Sequence, residues 1–319
     1  MKVLWTGEVY ENARAAMDRY GLILEQFGPR DLVDEDRFID ALAGCQVYVN
    51  GGFEVASERV IRSAADLRLI VYLGANAGTY VDLDAAKQRG ITVCNTPGAN
   101  AKSVAEIAIA LAISATRRIP AGIASVAAGE WHSPVVSALH GLRIGLRGMG
   151  HIAQAFARFL RLGLDADVLY WSPTRKPAVE ADLAVRYADR LDLLSQVNMV
   201  SLHLPEQAGV VLGAAEFEAM KPGAILINTA RPQLVDAEAL DAALSSGRLA
   251  FAAFDGFYGE GTRDLTAAEE RILRLGPDQF IATPHIGWRT KEADVQAQAI
   301  GIRSLVEFLK DEPVSNRVA

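Results

Sequence analysis

The sequence belongs to the α/β class, with two parallel-sheet domains carrying helices on both faces, and three observations predict this. Short apolar runs alternate with helical segments along most of the 319 residues, the pattern left by strand–helix–strand crossovers. At Leu142 to Leu160 a strand, a glycine turn and a helix are fused without a spacer. The alternation is interrupted once, where Pro97 and Gly98 break the chain ahead of a long apolar helix running toward Arg117 and Arg118.

Composition sets the outer limits. A chain that is 50% hydrophobic and 22% charged is a folded globular protein long enough for two domains. The formal net charge of −7 argues against a polyanion-binding surface, so nucleic acid is not an expected partner. Cys45 and Cys94 each lie in an apolar strand-like run, which predicts small buried hydrophobes and neither a disulfide nor a metal site. MKVLWTGEVYENAR lacks a signal-peptide core and IAIALAISA is too short to span a bilayer, so a cytoplasmic protein without membrane partners is expected.

In chain order, VLWT, LILEQF, CQVYVN, LRLIVYL and ITVCN read as strands, separated by helical segments such as VDEDRFIDALAG and VASERVIRSAA. The segment PAGIASVAAGEWHSP reads as loose connection. A second series then places strands at LRIGL, VLYW, MVSLHL, AILINTA, LAFAAF and FIATP. The final helical run, KEADVQAQAIGIRSLVEFLKD, is expected to return to the first domain, which is therefore discontinuous. The expected division is residues 1–98 plus 291–319 for the first domain and 99–290 for the second.

The glycine turn gives the second domain its chemistry. Gly148, Gly150 and Ala153 fall as G-x-G-x-x-A: the first permits the tight turn, the second lets backbone approach a pyrophosphate, and the third must be small for helix–strand packing. N–H groups opening the helix at His151 and Ile152 would face the phosphates. Both domains are thus expected to be Rossmann-like and doubly wound, the second binding a dinucleotide. After the second strand of that domain, where an NAD-selective fold places Asp or Glu, the run is Ser172-Pro173-Thr174-Arg175-Lys176. A hydroxyl at Ser172 or Thr174 and a cation at Arg175 or Lys176 suit a 2′-phosphate, so NADP(H) is expected in preference to NAD(H).

Ligands of open α/β sheets bind beyond the carboxyl ends of the strands. In the second series those positions hold Ser172, His203, Arg231, Asp255 and His285, and Glu260 lies in the glycine-flanked loop DGFYGEG. An Arg, a Glu and a His converging beside a nicotinamide would make a carbonyl-reduction site.

Four stretches, NTPGANAKSVAEIAIALA, LRGMGHIA, INTARPQLVDAEAL and ATPHIGWRT, make the chain resemble the D-isomer-specific 2-hydroxyacid dehydrogenase family over nearly its whole length. The resemblance implies that Arg231 orients the substrate, that His285 is the acid/base and that Glu260 is its carboxylate partner. It further places Asp255 near the nicotinamide, Ala230 and His203 among the cofactor contacts, and Asn76, Ala77 and Gly78 in a substrate-carboxylate loop of the first domain. A homodimer built around the interdomain helix is implied as well. Departures from the family pattern are Pro232 after the arginine, Gly261 after Glu260, and a short HLPEQAGVVLG segment. Trp288 and Arg289 also follow the histidine where small or neutral residues are common, which places both at the substrate.

The activity implied is interconversion of a small 2-keto acid and a D-2-hydroxy acid. Two alternatives accompany it: a formate-, phosphite- or phosphonate-acting relative, to which Arg289 would offer a cation, and a dinucleotide-sensing corepressor-like binding protein.

Overall fold

A computed structural model describes residues 1–260 and 264–319 of the chain. They form two compact units, Met1–Asn100 with Thr290–Ala319 and Ala101–Arg289.

The first unit is built on β1 (Lys2–Thr6), β2 (Ile23–Phe27), β3 (Val47–Asn50), β4 (Leu69–Tyr72) and β5 (Thr92–Cys94), ordered β2-β1-β3-β4-β5. All of these pairings are parallel. Every residue of β3 is buried because alternate side chains enter two separate cores, Tyr48 on one face and Val47 and Val49 on the other. That is why its sequence reads as a continuous apolar run and not as an alternating one. The helix Lys291–Leu309 completes the unit, placing Leu305 in the cluster that holds Val3, Val47 and Val71, so the first unit is discontinuous in sequence. Both cysteines are free and buried.

The second unit holds a seven-stranded parallel sheet: β6 (Arg143–Arg147), β7 (Asp167–Trp171), β8 (Arg186–Tyr187), β9 (Met199–Leu202), β10 (Ala224–Asn228), β11 (Leu249–Asp255) and β12 (Phe280–Thr283). Its order is β12-β11-β10-β9-β6-β7-β8. Strand succession reverses between β6 and β9, which makes the carboxyl ends there the switch point where such sheets open a crevice. One face of the sheet packs Ile144, Leu146 and Phe251 against Phe156 and Leu160 of the helix His151–Leu164, and the other gathers Leu169, Leu202 and Leu226.

Two features differ from the sequence reading. The edge strand β8 is only two residues long, too short to show periodicity. The segment expected as loose connection contains a helix, Ile119–Ala127, which begins with Pro in its first turn after Arg118 takes left-handed backbone (φ 52°). Among the described residues no single helix is long and apolar enough to cross a membrane.

Candidate active site

The glycine turn has the geometry its spacing demands. Gly148 lies at φ +108°, and a Cβ there would stand 2.3 Å from the backbone oxygen of His203, so any side chain would force the ends of β6 and β9 apart. Backbone bonds from Gly148 N–H to Trp171 O (2.8 Å) and from His203 N–H to Arg147 O (2.8 Å) lock that approach. Gly150 is the N-cap of the helix His151–Leu164, and no side chain caps it. The first-turn N–H groups at the exposed His151 and at Ile152 are therefore open to an anion, while Ala153 is fully buried against the sheet. This cradle fits the pyrophosphate of a dinucleotide.

At the end of β7 the structure adds a residue that the sequence reading did not use. Arg175 is held in a two-bond ion pair by Glu180 of the next helix, Nε to Oε1 at 2.8 Å and Nη2 to Oε2 at 2.7 Å. The Tyr170 hydroxyl also donates to Glu180, at 2.8 Å. Arg175 first and Tyr170 second draw the Glu180 carboxyl down to about 2. The Ser172 hydroxyl donates to Thr174 O at 2.7 Å, and Lys176 is the N-cap residue of the same helix, its N–H bonded to the Tyr170 hydroxyl. Thus an acid does stand beside the basic turn, contributed from five residues downstream of Arg175.

His203 turns its ring inward. Nε2 lies 3.0 Å from Ser201 Oγ, the ring is tilted against Phe156 at 5.5 Å, and the enclosed Nδ1 has no partner among the described residues. Burial pushes this imidazole down to about 3, so it is neutral near pH 7. Its contribution to the turn is its backbone oxygen.

The arginine loop follows β10. Asn228, buried at the strand end, accepts from Ala230 N–H (3.0 Å) and donates to Arg231 O (2.9 Å), closing a small ring that fixes the loop. Arg231 is exposed, donates to Ala230 O at 2.9 Å and has Nε 3.9 Å from Glu206 Oε2. Pro232 is buried and starts a short 3-10 turn, so its missing N–H costs nothing there.

The histidine loop is organised by Asp255, the last residue of β11. One oxygen accepts from the Thr283 hydroxyl (2.7 Å) and Ile286 N–H (2.9 Å), the other from Gly287 N–H (2.8 Å). A Cβ on Gly287 would lie 2.6 Å from that second oxygen, so glycine is required for the contact. The loop so clamped holds His285 in left-handed backbone, φ +53°, rare for a residue with a side chain. Nδ1 of His285 then meets both oxygens of Glu260, at 3.0 and 3.1 Å, which leaves Nε2 as the outward nitrogen. Trp288 follows with the Arg289 guanidinium 5.7 Å from its ring centroid. Gly261 lies outside the described residues. In the first unit, Asn76 opens the short turn Ala77–Thr79, with Ala77 buried and Gly78 exposed. That loop is tied down by Asn95 Nδ2 on Ala75 O and Thr96 N–H on Gly74 O.

Arg231, Glu260 and His285 thus arise from the loops after β10, β11 and β12, and Asp255 from the end of β11, at the carboxyl ends of one sheet. Asn228, Glu180 and Glu206 are the participants that sequence reasoning missed.

Comparison with known proteins agrees with this architecture. Residues 109–287 match the model of the D-isomer specific 2-hydroxyacid dehydrogenase NAD-binding domain. Glyoxylate reductase of Thermococcus litoralis is 31% identical over 99% of this chain and 96% of its own length. Hydroxypyruvate reductase of Thermotoga maritima is 32% identical over 88% and 89%. Among solved structures, D-lactate dehydrogenase of Lactobacillus jensenii with NAD+ superposes with a TM-score of 0.84 at 26% identity, both chains being covered completely. The glycine cradle, the clamped histidine loop and these matches together establish that the chain belongs to the D-isomer specific 2-hydroxyacid dehydrogenase family of nicotinamide-dinucleotide-dependent oxidoreductases.

Proposed function

We propose that this enzyme interconverts a small 2-keto acid and the corresponding D-2-hydroxy acid, with His285 as acid/base. The observation that carries this reading is the Glu260–His285 pair, set by a backbone conformation that the Asp255 clamp maintains. The bound dinucleotide supplies or accepts the hydride. His285 holds a proton at Nε2 and delivers it to the oxygen on which negative charge grows, while Glu260 fixes the ring through Nδ1. Arg231 presents a planar fork of donors to the substrate carboxylate and polarises the adjoining ketone, and Glu206 must yield it. We assign the backbone of Asn76, Ala77 and Gly78 to the substrate carboxylate, and Trp288 and Arg289 to the substrate's remaining group. The first unit is accordingly the substrate domain and the second the dinucleotide domain.

The cofactor reading is NADP(H) by preference. Ser172 stands where a carboxylate would repel a 2′-phosphate, and Arg175 follows in the same turn, its guanidinium on Glu180. The phosphate has to share that guanidinium with Glu180, so the preference is modest and NAD(H) also works. A homodimer is supported by the helix Ile119–Ala127, which buries none of its residues, and by Ile123, Trp131 and Val135, 66%, 85% and 103% exposed.

The test is oxidation of NADPH and NADH against glyoxylate, hydroxypyruvate, pyruvate and bulkier 2-keto acids, with the names of the two reductase relatives setting the order of trial. Turnover with at least one, at higher kcat/KM for NADPH, is expected. Dinucleotide binding without turnover of any 2-keto acid would favour a binding protein on the same scaffold.

A further inference from the structure

Arg147, the last residue of β6 and the immediate neighbour of Gly148, is fully buried. Its Nη1 donates to Val211 O at 2.7 Å, but Nε and Nη2 have no hydrogen-bond partner, and among the described residues no carboxylate lies within ion-pair distance. The nearby charges oppose each other: Arg190 disfavours the guanidinium, Glu216 favours it, and these two stand 3.9 Å apart as a pair of their own. Burial pushes Arg147 down to about 10, which still leaves it cationic at neutral pH. The face of Trp171, 5.6 Å from the guanidinium carbon, gives it further support. A buried cation held by one carbonyl and one ring is costly, and replacing such a group by an apolar side chain ordinarily stabilises a protein or leaves it unchanged.

The location supplies the missing anion. Arg147 and Trp171 are paired last residues of β6 and β7. A dinucleotide on this edge puts its pyrophosphate at the start of the helix His151–Leu164, and its adenosine ribose just past β7. We infer that Arg147 is the buried counter-charge for the anionic adenosine half of the bound dinucleotide, acting from beneath the glycine turn. The inference rests on the dinucleotide binding that the family implies. In the dry interior its field on the phosphates is screened far less than that of a surface cation such as Arg175, so it adds affinity for NAD(H) and NADP(H) alike.

Calorimetric titration of the dinucleotide-free protein with ADP and with adenosine tests this on the parent, Arg147→Met and Arg147→Lys, alongside thermal unfolding of each. Expected for R147M are ADP binding weakened about tenfold or more, adenosine binding unchanged, and a Tm equal to or above the parent's, with R147K retaining most of the ADP affinity. Equal ADP affinity in parent and R147M, equal losses for ADP and adenosine, or a fall in Tm that R147K does not repair would each overturn the counter-charge role. Failure of the parent to bind ADP would instead remove the dinucleotide reading beneath it.

Discussion

Glu54, just after β3 in the first unit, and Arg147, at the end of β6 in the second, are both buried ionisable side chains, and they are held in different ways. In the first, Glu54 is 1% exposed, and one of its oxygens accepts from both the Tyr48 hydroxyl and the Thr6 hydroxyl, joining β1 to β3. In the second, Arg147 is 0% exposed and has a single hydrogen bond. Glu54 braces two strands through one oxygen, its other oxygen having no partner among the described residues, whereas Arg147 reaches a single carbonyl next to a cradle that fits phosphate. Changes at these two positions should therefore act differently, on stability at the Glu54 brace and on anion binding at Arg147.

The largest expected effect lies at the second edge. His285→Ala should lower kcat/KM for 2-keto acid reduction by about 10²–10⁴-fold with dinucleotide affinity nearly intact, measured by steady-state kinetics and titration. A variant that keeps parental kcat would take His285 out of the acid role. Next is a pH effect on stability. His203 is held at about 3 in the folded chain, against ~6.5 when unfolded, so between those values only the unfolded state takes the proton. The stability is present above ~6.5 and is lost as pH falls toward 3, by up to ~1.4 kcal/mol per pH unit. Denaturant unfolding of the parent and His203→Phe from pH 7 to 4.5 should show a shallower slope in the variant; parallel slopes would mean that the ring is not buried neutral.

Tyr48→Phe in the first unit removes one of the donors to Glu54 and should cost ~1–3 kcal/mol of stability, seen as a lower Tm, without changing kcat at a temperature where the protein stays folded. If kcat falls while Tm holds, the brace reading of the first unit is wrong. The smallest effect concerns Glu180. Glu180→Gln should free Arg175 and raise the NADPH-to-NADH ratio of kcat/KM by about threefold to tenfold, less than a full charge-assisted bond because the Arg175 side chain is solvent-exposed. An unchanged ratio would detach Arg175 from the 2′-phosphate.

The parts of this molecule legible in the sequence were those written in consecutive residues. β3, β10 and β11 are buried on both faces and so appear as unbroken apolar runs, and the spacing of Gly148, Gly150 and Ala153 encodes one continuous turn. What escaped depends on distance through space. Glu180 meets Arg175 only because the helix beginning at Pro177 folds back over the end of β7. The Asn228 ring and the Asp255 clamp are bonds to backbone groups that no residue pattern displays. Arg147 did leave a trace: in RIGLR, positions 143, 145 and 147 share one face, and Arg143 answers to Asp167 at the strand's amino end while Arg147 has no such partner at the other. The helix Ile119–Ala127 was hidden by its proline and glycine, which read as loop until the first-turn position of Pro120 is known.

The proposed chemistry at this edge is reduction of a 2-keto acid to the D-alcohol. It is met most directly by chiral analysis of the 2-hydroxy acid formed from the best 2-keto acid substrate with reduced dinucleotide, together with the reverse reaction on each pure enantiomer. The expected product is the D-2-hydroxy acid, with oxidation of the D-enantiomer alone. Formation of the L-product, or equal oxidation of both enantiomers, would contradict it.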